Sequence, residues 1–350
     1  MAKIDALFDF MRDNEASDCH ISPQYPPMVR LHGDIISLNA PPLTADQAGA
    51  LIYEILTPEQ IKEFEERWEL DCAYDYKGVA RFRVNVCREN RGVSAVFRII
   101  PQEMPTMEQL GLPDNIKKLV DVHKGLILVT GPTGSGKSTT LASIINDINM
   151  KRRTHIITIE DPIEFVHKHK KSLIHQREVH NHSKSFAAAL KSAFREGPDI
   201  ILVGEMRDLE TVSLAMTAAE TGHLVFGTLH TNSASKTIDR LIDVFPSDEQ
   251  AQIRTMLAES LRGVVAQSLF KRFDKKGRIA AFDILINTKG VSNLIREAKT
   301  FQIPSAMQTG KGEGMLTFED SINKLVKDGK VNPEDAKTFL GSISPLGDAA

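Results

Sequence analysis

Short, unbroken apolar runs recur in the second part of the chain, with segments of helical apolar spacing between them. Such runs are typical of parallel strands that are covered on both faces, because neither face of these strands meets water. Strands that alternate with helices predict an α/β domain. The runs that we predict as strands of this sheet are residues 126–129, 156–159, 200–203, 224–226 and 279–286.

One helix of this region has a separate start signal. Ser247 and Gln250 have the spacing of a capping box, in which two side chains bond each other's backbone N–H groups. Apolar residues then recur at helical spacing as far as Val265. We therefore predict a single helix that begins after Ser247 and continues to Val265.

The first part of the chain has a different pattern, in which helices precede a pair of alternating strands. It predicts a small α+β domain that opens with a short amphipathic helix. The predicted elements are helices at 45–55 and 58–68 and strands at 79–87 and 93–100. Three prolines and one glycine within residues 101–113 indicate a linker. We predict domains at 1–100 and 115–350, joined by a linker at 101–114.

Composition narrows the functional classes. The 350 residues are 41 % hydrophobic, and 43 basic against 46 acidic residues give a net charge of −3, so there is no general nucleic-acid signature. Cys19, Cys72 and Cys87 form no C-x-x-C pair, which argues for a reducing compartment and against a zinc site. No apolar run approaches the ~20 residues of a membrane span, and the amphipathic start is not a signal peptide. We expect a soluble, cytoplasmic protein.

A phosphate-binding motif follows the apolar run at 126–129 and precedes a predicted helix. It fills the pattern G-x-x-x-x-G-K-[ST] in the strand–loop–helix context that a P-loop requires. Its N–H groups are suited to phosphate, Lys137 to the β- and γ-phosphates, and the Ser138 hydroxyl to Mg²⁺. The predicted nucleotide-binding residues are Gly131, Pro132, Thr133, Gly134, Ser135, Gly136, Lys137, Ser138 and Thr139.

Acidic residues follow two of the predicted strands, at the edge where open α/β sheets bind their ligands. Glu205 comes one residue after the usual place of a Walker B acid. Glu160 and Glu164 belong to an acidic cluster whose mutual repulsion a cation would relieve. We assign Glu205 and Glu160 to Mg²⁺ and Glu164 to the attacking water, and the exchange of Glu205 and Glu164 stays open. The alternative is a set of solvated acidic turns.

Two histidines and two arginines are further candidates. His223 and His230 flank one predicted strand and can sense the γ-phosphate, if a bulge at Gly227 corrects their odd separation. Arg81 and Arg83 share one face of a strand in the first domain and can close onto a nucleotide. A positioned arginine accelerates phosphoryl transfer by roughly 10³–10⁵-fold. The alternatives are structural histidines and a solvated arginine face.

Seven segments are similar to motifs of one protein family, and they are spread over nearly the whole chain. The segments are residues 16–20 (ASDCH), 78–85 (GVARFRVN), 131–138 (GPTGSGKS), 157–167 (ITIEDPIEFVH), 199–208 (DIILVGEMRD), 218–231 (AAETGHLVFGTLHT) and 291–303 (VSNLIREAKTFQI). Through them the chain resembles the secretion ATPase superfamily of bacterial type II secretion and type IV pili and, within it, the PilT-type pilus retraction motors. In that family the last four segments are similar to an aspartate box, a variant Walker B, a histidine box and a C-terminal motif that retraction ATPases need for function.

This resemblance implies a PAS-like N-terminal domain, a RecA-like C-terminal domain and a homohexameric ring that hydrolyses ATP with Mg²⁺ between the two domains. It implies that Arg81 and Arg83 approach the γ-phosphate and that His223 and His230 belong to the nucleotide pocket. The ring would act on the inner-membrane platform protein of the pilus machine, from the cytoplasmic face of the inner membrane. Pilus retraction and twitching motility would follow.

Three alternatives stay open. A pilus-extension or type II secretion ATPase is disfavoured, because such relatives carry a four-cysteine zinc site in the large domain and all cysteines here precede it. A RecA-like nucleic-acid translocase is disfavoured by the near-neutral charge. An accessory subunit that binds ATP without turnover is disfavoured by the presence of Lys137, Glu164 and Glu205.

Overall fold

The computed structural model describes residues 4–14, 16–31, 34–78, 80–100 and 104–343. The chain divides into an N-terminal unit, Met1–Glu103 with Pro162–Val166, and a C-terminal unit, Met104–Asp161 with His167–Ala350. Several parts of the sequence predictions lie outside the described residues: residues 1–3, 15 and 32–33 of the first domain, the strand start at Val79, linker residues 101–103, and residues 344–350 of the second domain.

The described part of the N-terminal unit forms one sheet with three helices. Its elements are α1 (Asp5–Asp13), β1 (Asp18–Ile21), β2 (Met28–Leu31), β3 (Asp34–Ser37), α2 (Ala45–Tyr53), α3 (Pro58–Arg67), β4 (Glu69–Tyr76), β5 (Ala80–Glu89) and β6 (Gly92–Ile100). The strand order is β3-β2-β1-β6-β5-β4, and every neighbouring pair is antiparallel. The predicted elements α1, α2, α3, β5 and β6 are present, whereas β1 to β4 were not predicted.

Local sequence explains the predicted helices of this unit. Thr44 caps α2 and Thr57 caps α3, each through a complete capping box with a glutamine three residues later.

The alternation of apolar and polar residues along β5 explains the core of this unit. Phe82 of β5 is buried and stacks on Phe8 of α1, with ring centroids 4.3 Å apart. Because side chains alternate across a strand, the neighbouring Arg81 lies on the other face of β5.

The C-terminal unit is built on a mixed sheet. Its strands are β7 (Gly125–Thr130), β8 (His155–Glu160), β9 (Leu173–Glu178), β10 (Ile200–Val203), β11 (Leu224–Leu229), β12 (Leu261–Lys271) and β13 (Arg278–Ile286). Their order is β13-β12-β7-β11-β10-β8-β9. The pairs from β12 to β9 are parallel, and the pair β12–β13 is antiparallel.

Helices precede and follow the strands of this sheet along the chain. They are α4 (Asp114–Val120), α5 (Lys137–Lys151), α6 (Phe186–Ala193), α7 (Leu209–Glu220), α8 (Ala234–Asp243), α9 (Gln250–Ser260), α10 (Lys289–Arg296), α11 (Ile303–Thr309), α12 (Phe318–Lys327) and α13 (Pro333–Ile343), with 3₁₀ turns at Thr300–Gln302 and Gly310–Glu313. Among the described residues, none of the helices has the length and apolar character needed to cross a membrane.

The predicted helix from Ser247 to Val265 is wrong in both bounds. α9 begins after Glu249, which makes no side-chain capping bond, and it ends at Ser260. Leu261 then adopts an extended backbone and opens β12. The strand pairs with β7 on one side and β13 on the other, so ladder hydrogen bonds and burial in the sheet override the helical spacing of its apolar residues.

The prediction of an all-parallel sheet is wrong for its last strand. β13 is antiparallel to β12 because only the short loop at 272–277 joins them, whereas a parallel pair needs a long crossover. The outer edge of β13 is bonded to the C-terminal segment. The N–H of Leu316 donates to Ile284 O at 3.0 Å, and the N–H of Phe282 donates to Ser321 Oγ at 3.0 Å.

Candidate active site

The carboxyl ends of the parallel strands place four motif segments at one edge of the sheet. The P-loop follows β7, Glu160 ends β8, Glu205 follows β10, and His230 follows β11. Open α/β sheets bind their ligands at this edge.

The P-loop runs from buried β7 into the first turn of α5. Gly131, Gly134 and Gly136 have φ values of 145°, 79° and 88°, a region that side chains disfavour. A Cβ on Gly131 would also lie 2.3 Å from the backbone oxygen of Gln267. Gly136 is the N-cap of α5 and has no side chain to bond the first-turn N–H groups. These groups and the positive helix end suit a phosphate.

Lys137 lies over this loop. Its Nζ donates to Gly131 O at 2.8 Å and to Pro132 O at 3.2 Å. The ammonium is thus held at the loop that would surround a phosphate chain. Ser138, one residue further in the first turn of α5, is exposed and presents its hydroxyl. Glycine loop, lysine and hydroxyl together fit a nucleoside triphosphate with Mg²⁺.

Glu205 is an ionised carboxylate that contacts one arginine and one histidine. It forms an ion pair with Arg207, and its Oε1 lies 2.8 Å from His230 Nε2. Burial raises the pKa of Glu205, but the hydrogen bonds and charges of Arg207 and His230 outweigh burial, so the pKa lies below its ordinary value. An ionised carboxylate at this place can bind Mg²⁺ or accept a proton from water.

Close packing fixes the position of Glu205. A Cβ on Gly204 would lie 2.9 Å from Ile159 O, and a Cβ on Gly227 would lie 2.3 Å from the sulfur of Met206. The hydroxyl of Thr228 donates to Gly204 O.

The predicted bulge at Gly227 is absent from the described strand pairs: β11 keeps a continuous register with both neighbours. Gly227 instead leaves room for Met206.

His223 is not brought to the P-loop within this chain. It precedes β11, and its backbone oxygen accepts from the N–H of Gly125 at the start of β7. Its Nδ1 lies 3.0 Å from Ala218 O. The six residues of β11 separate it from His230 by about 20 Å. Within this chain the two histidines thus lie at opposite ends of β11, and of the two only His230 contacts Glu205. The assignment of His223 to the nucleotide pocket stays a prediction.

The other predicted residues are distributed over both units. Glu160 accepts from Thr158 Oγ1 at 2.6 Å and from Gln176 Nε2 at 3.2 Å. Glu164 belongs to Pro162–Val166 and is half-buried, and Arg81 and Arg83 lie on β5. The catalytic roles of Glu164, Arg81 and Arg83 stay predictions.

Mg²⁺ suits this edge of the sheet. Within the described ranges, no group of three or more His, Cys, Asp or Glu side chains is placed to hold a metal ion. Mg²⁺ in nucleotide sites is usually bound through one or two protein oxygens together with phosphate oxygens and water. The Ser138 hydroxyl and the Glu205 carboxylate are ligands of this kind.

Sequence reasoning missed a threonine network beside the site. Thr237 Oγ1 lies 2.7 Å from Thr231 Oγ1 and 3.4 Å from Thr130 Oγ1. Thr130 immediately precedes the P-loop, and Thr231 immediately follows His230. The network thus links the segments that carry Lys137 and His230. Only the occurrence of threonines next to both motifs signalled it.

Asp283 was also missed. It is 7 % exposed on β13, and its Oδ2 accepts from the N–H of Ala234 at 2.9 Å, which anchors the start of α8. Burial raises the pKa of Asp283 to about 6, against the bonds from the N–H groups of Ala234 and Phe318. A lone aspartate in an apolar strand was the available signal.

The C-terminal motif, residues 291–303, covers most of α10 and the 3₁₀ turn at Thr300–Gln302. α10 borders a separate cavity of about 460 Å³. Three cationic side chains, Arg262, Lys289 and Arg296, line it together with one carboxylate, Glu259. Arg296 lies 4.0 Å from Glu259, so the lining retains a positive excess.

The fold and the site define a class of protein. A buried parallel strand, a glycine loop and a helix, with a carboxylate at the end of a neighbouring strand, are the parts of a P-loop nucleoside triphosphatase. Residues 3–310 match the family described as Type II/IV secretion system protein. The chain belongs to this family, and the prediction from its motifs is confirmed.

Individual members of the family are similar to this chain over most of its length. The chain is 54 % identical over 334 residues to the type IV pilus retraction ATPase PilT of Pseudomonas aeruginosa, with 95 % of this chain and 97 % of that one covered. It is 52 % identical over 311 residues to a twitching motility protein of Neisseria gonorrhoeae, covering 89 % and 83 %. A crystal structure of the pilus retraction motor PilT with bound ADP superposes with a TM-score of 0.91 at 46 % identity, covering 99 % and 98 %.

Proposed function

We propose that this chain is an ATP-hydrolysing motor that powers type IV pilus retraction and thereby twitching motility. The observation that carries the proposal is the 54 % identity with a pilus retraction ATPase over 95 % of the chain. The P-loop, Lys137 and the ionised Glu205 supply the chemistry that such a motor needs. A pilus-extension or type II secretion ATPase remains the alternative activity.

In the proposed reaction a water oxygen bonds to the γ-phosphorus, the bond to the bridging oxygen breaks, and ADP leaves. Lys137 and the loop N–H groups hold the phosphates. Mg²⁺, when bound, would neutralise charge on the β- and γ-phosphates. Ser138 and Glu205 would hold it, with Glu160 acting through a water molecule.

Further side chains complete the proposed chemistry. Glu164 is proposed to orient the attacking water, with exchange of roles with Glu205 still open. Arg81 and Arg83 are proposed to stabilise charge on the γ-phosphate. His230 is proposed to sense that phosphate through its contact with Glu205.

The proposal includes the assembly and the partner. We assign the antiparallel N-terminal unit to a PAS-like domain and the P-loop unit to a RecA-like domain, with boundaries at 1–100, 101–114 and 115–350. A homohexamer is proposed to act on the inner-membrane platform protein of the pilus machine, from the cytoplasmic face of the inner membrane. Near full-length similarity to pilus retraction motors supports these assignments.

Deletion of the gene in its host tests the function. We expect excess surface pili and loss of twitching, because pili would still be extended but not withdrawn. Pilus number by electron microscopy and surface motility are the measurements. Restoration by the wild-type gene but not by a Glu205→Ala gene is the control. Cells without pili would instead support an extension ATPase.

Neutralising the positive cavity at α10 is expected to separate hydrolysis from motility. In the double variant Lys289→Ala, Arg296→Ala, ATP turnover should stay within about twofold, because both residues lie outside the P-loop edge, while twitching is lost. The reason is that the positive lining of the cavity is proposed to bind an acidic surface of the platform protein.

The measurements are phosphate release and the diameter of the twitching zone. The matched control, Lys324→Ala with Lys327→Ala on α12, should twitch normally. Normal motility of the cavity variant would exclude this docking role.

A further inference from the structure

A buried amide supports the P-loop from the neighbouring strand. Gln267 lies on β12 and is 1 % exposed. Its Nε2 donates to Ser135 O at 2.6 Å. The loop also packs on it at both ends, because a Cβ on Gly131 would lie 2.3 Å from Gln267 O and a Cβ on Gly136 would lie 3.2 Å from Gln267 Nε2. Gln267 therefore meets the loop with both its backbone and its side chain.

The hydrogen bond of Gln267 has a directional consequence. In a trans peptide the C=O and the next N–H point in opposite directions. The carbonyl of Ser135 and the N–H of Gly136 belong to one such peptide. Since Gln267 holds the carbonyl toward β12, the N–H of Gly136 is turned away from β12, in the direction that a phosphate oxygen would need.

Packing alone does not explain why an amide is buried at this position. Buried polar groups normally have all their hydrogen bonds made. Yet in the described part of the chain neither Gln267 Oε1 nor Ser135 Oγ has a hydrogen-bond partner. An apolar side chain at this buried position of β12, like those of the buried Val264, Val265 and Ala266 before it, would avoid that cost. The amide is thus explained by its bond to the loop.

We propose that Gln267 is a positioning residue of the nucleotide site, which orients the Ser135–Gly136 peptide of the P-loop toward the phosphates. This inference rests on the proposed use of the P-loop for ATP. Gln267 does not touch the reacting atoms, and it acts through the loop backbone. Loss of its donor should weaken nucleotide binding because the peptide is no longer held.

Gln267→Met tests the proposal, since methionine has a similar length and adaptable packing but no donor. We expect a fluorescent ADP analogue to bind about tenfold more weakly to the full-length variant, the effect of one lost hydrogen bond to a site group. The KM for ATP should rise together with this Kd. The control is Gln252→Met on α9, where the side chain is exposed and binding should stay unchanged.

Melting without nucleotide separates positioning from simple stabilisation. A merely structural Gln267 predicts a lower Tm with wild-type ADP affinity in the folded variant, and that result would overturn the proposal. If Gln267→Met does not fold, Gln267→Leu, which is also apolar and has no donor, should show the same weakening. Wild-type affinity there would also refute it. ADP binding is independent of pilus retraction, so a normal host phenotype on deletion would reject the proposed function without touching this inference.

Discussion

Glu205→Ala is expected to lower ATP hydrolysis by about 10²–10⁴-fold while ATP binding stays within a few-fold. The carboxylate lies at the carboxyl end of β10 and is kept ionised by Arg207 and His230. Removing it takes away a ligand for Mg²⁺ or a base for water, whereas the loop and Lys137 still bind the phosphates. Phosphate release and titration with a fluorescent ATP analogue measure the two effects separately.

The matched control is Glu210→Ala, which removes an exposed carboxylate from the first turn of α7 in the same segment of chain. Its turnover should equal that of the wild type. The isosteric variant Glu205→Gln should be as slow as Glu205→Ala, because shape without charge does not replace the carboxylate. Wild-type turnover in either Glu205 variant would remove this residue from the site.

Lys137→Ala has the second large expected effect, which is on binding. The ammonium lies at the P-loop, and removal of one partner of a close charge pair costs about 2–5 kcal/mol, or roughly 30-fold or more in affinity. We expect ATP and ADP to bind weakly and hydrolysis to be lost at ordinary ATP concentrations. Isothermal titration with ADP is the measurement.

A control on the same helix is available. Lys151 lies in the last turn of α5 and pairs with Asp147 at the surface, so Lys151→Ala should bind ADP normally. The melting temperature of Lys137→Ala without nucleotide should be close to that of the wild type, because its Nζ bonds loop carbonyls rather than the core. Unchanged ADP affinity would contradict the assigned role of Lys137.

Sequence patterns predicted the buried central strands well, because their apolar runs reflect burial on both faces. They did not predict strand direction, which depends on connection length: the short loop at 272–277 makes β13 antiparallel. They also assigned part of β12 to a helix. The apolar residues of 253–265 recur at helical spacing, and only pairing with β7 and β13 decides where the helix ends.

Some residues of the site could be predicted from local sequence, and others depend on contacts that are distant in sequence. The P-loop and Glu205 are local signals, since a few consecutive residues contain the chemistry. Gln267 bonds Ser135 across 132 positions of sequence, and Thr237 approaches Thr130 across 107. Such contacts leave no spacing pattern, and they follow only from the strand order. His223 shows that proximity to a motif in sequence does not give proximity in one chain, since it lies at the opposite end of β11 from His230.

The bonded outer edge of β13 gives the C-terminal segment a protective task. An uncovered edge strand offers free N–H and C=O groups to strands of other molecules, which promotes aggregation. Here Leu316 and Ser321 occupy such groups on Ile284 and Phe282. Copies of the chain are thereby kept from joining through sheet extension at this edge. The C-terminal segment thus protects the outer edge of β13 against pairing with strands of other molecules.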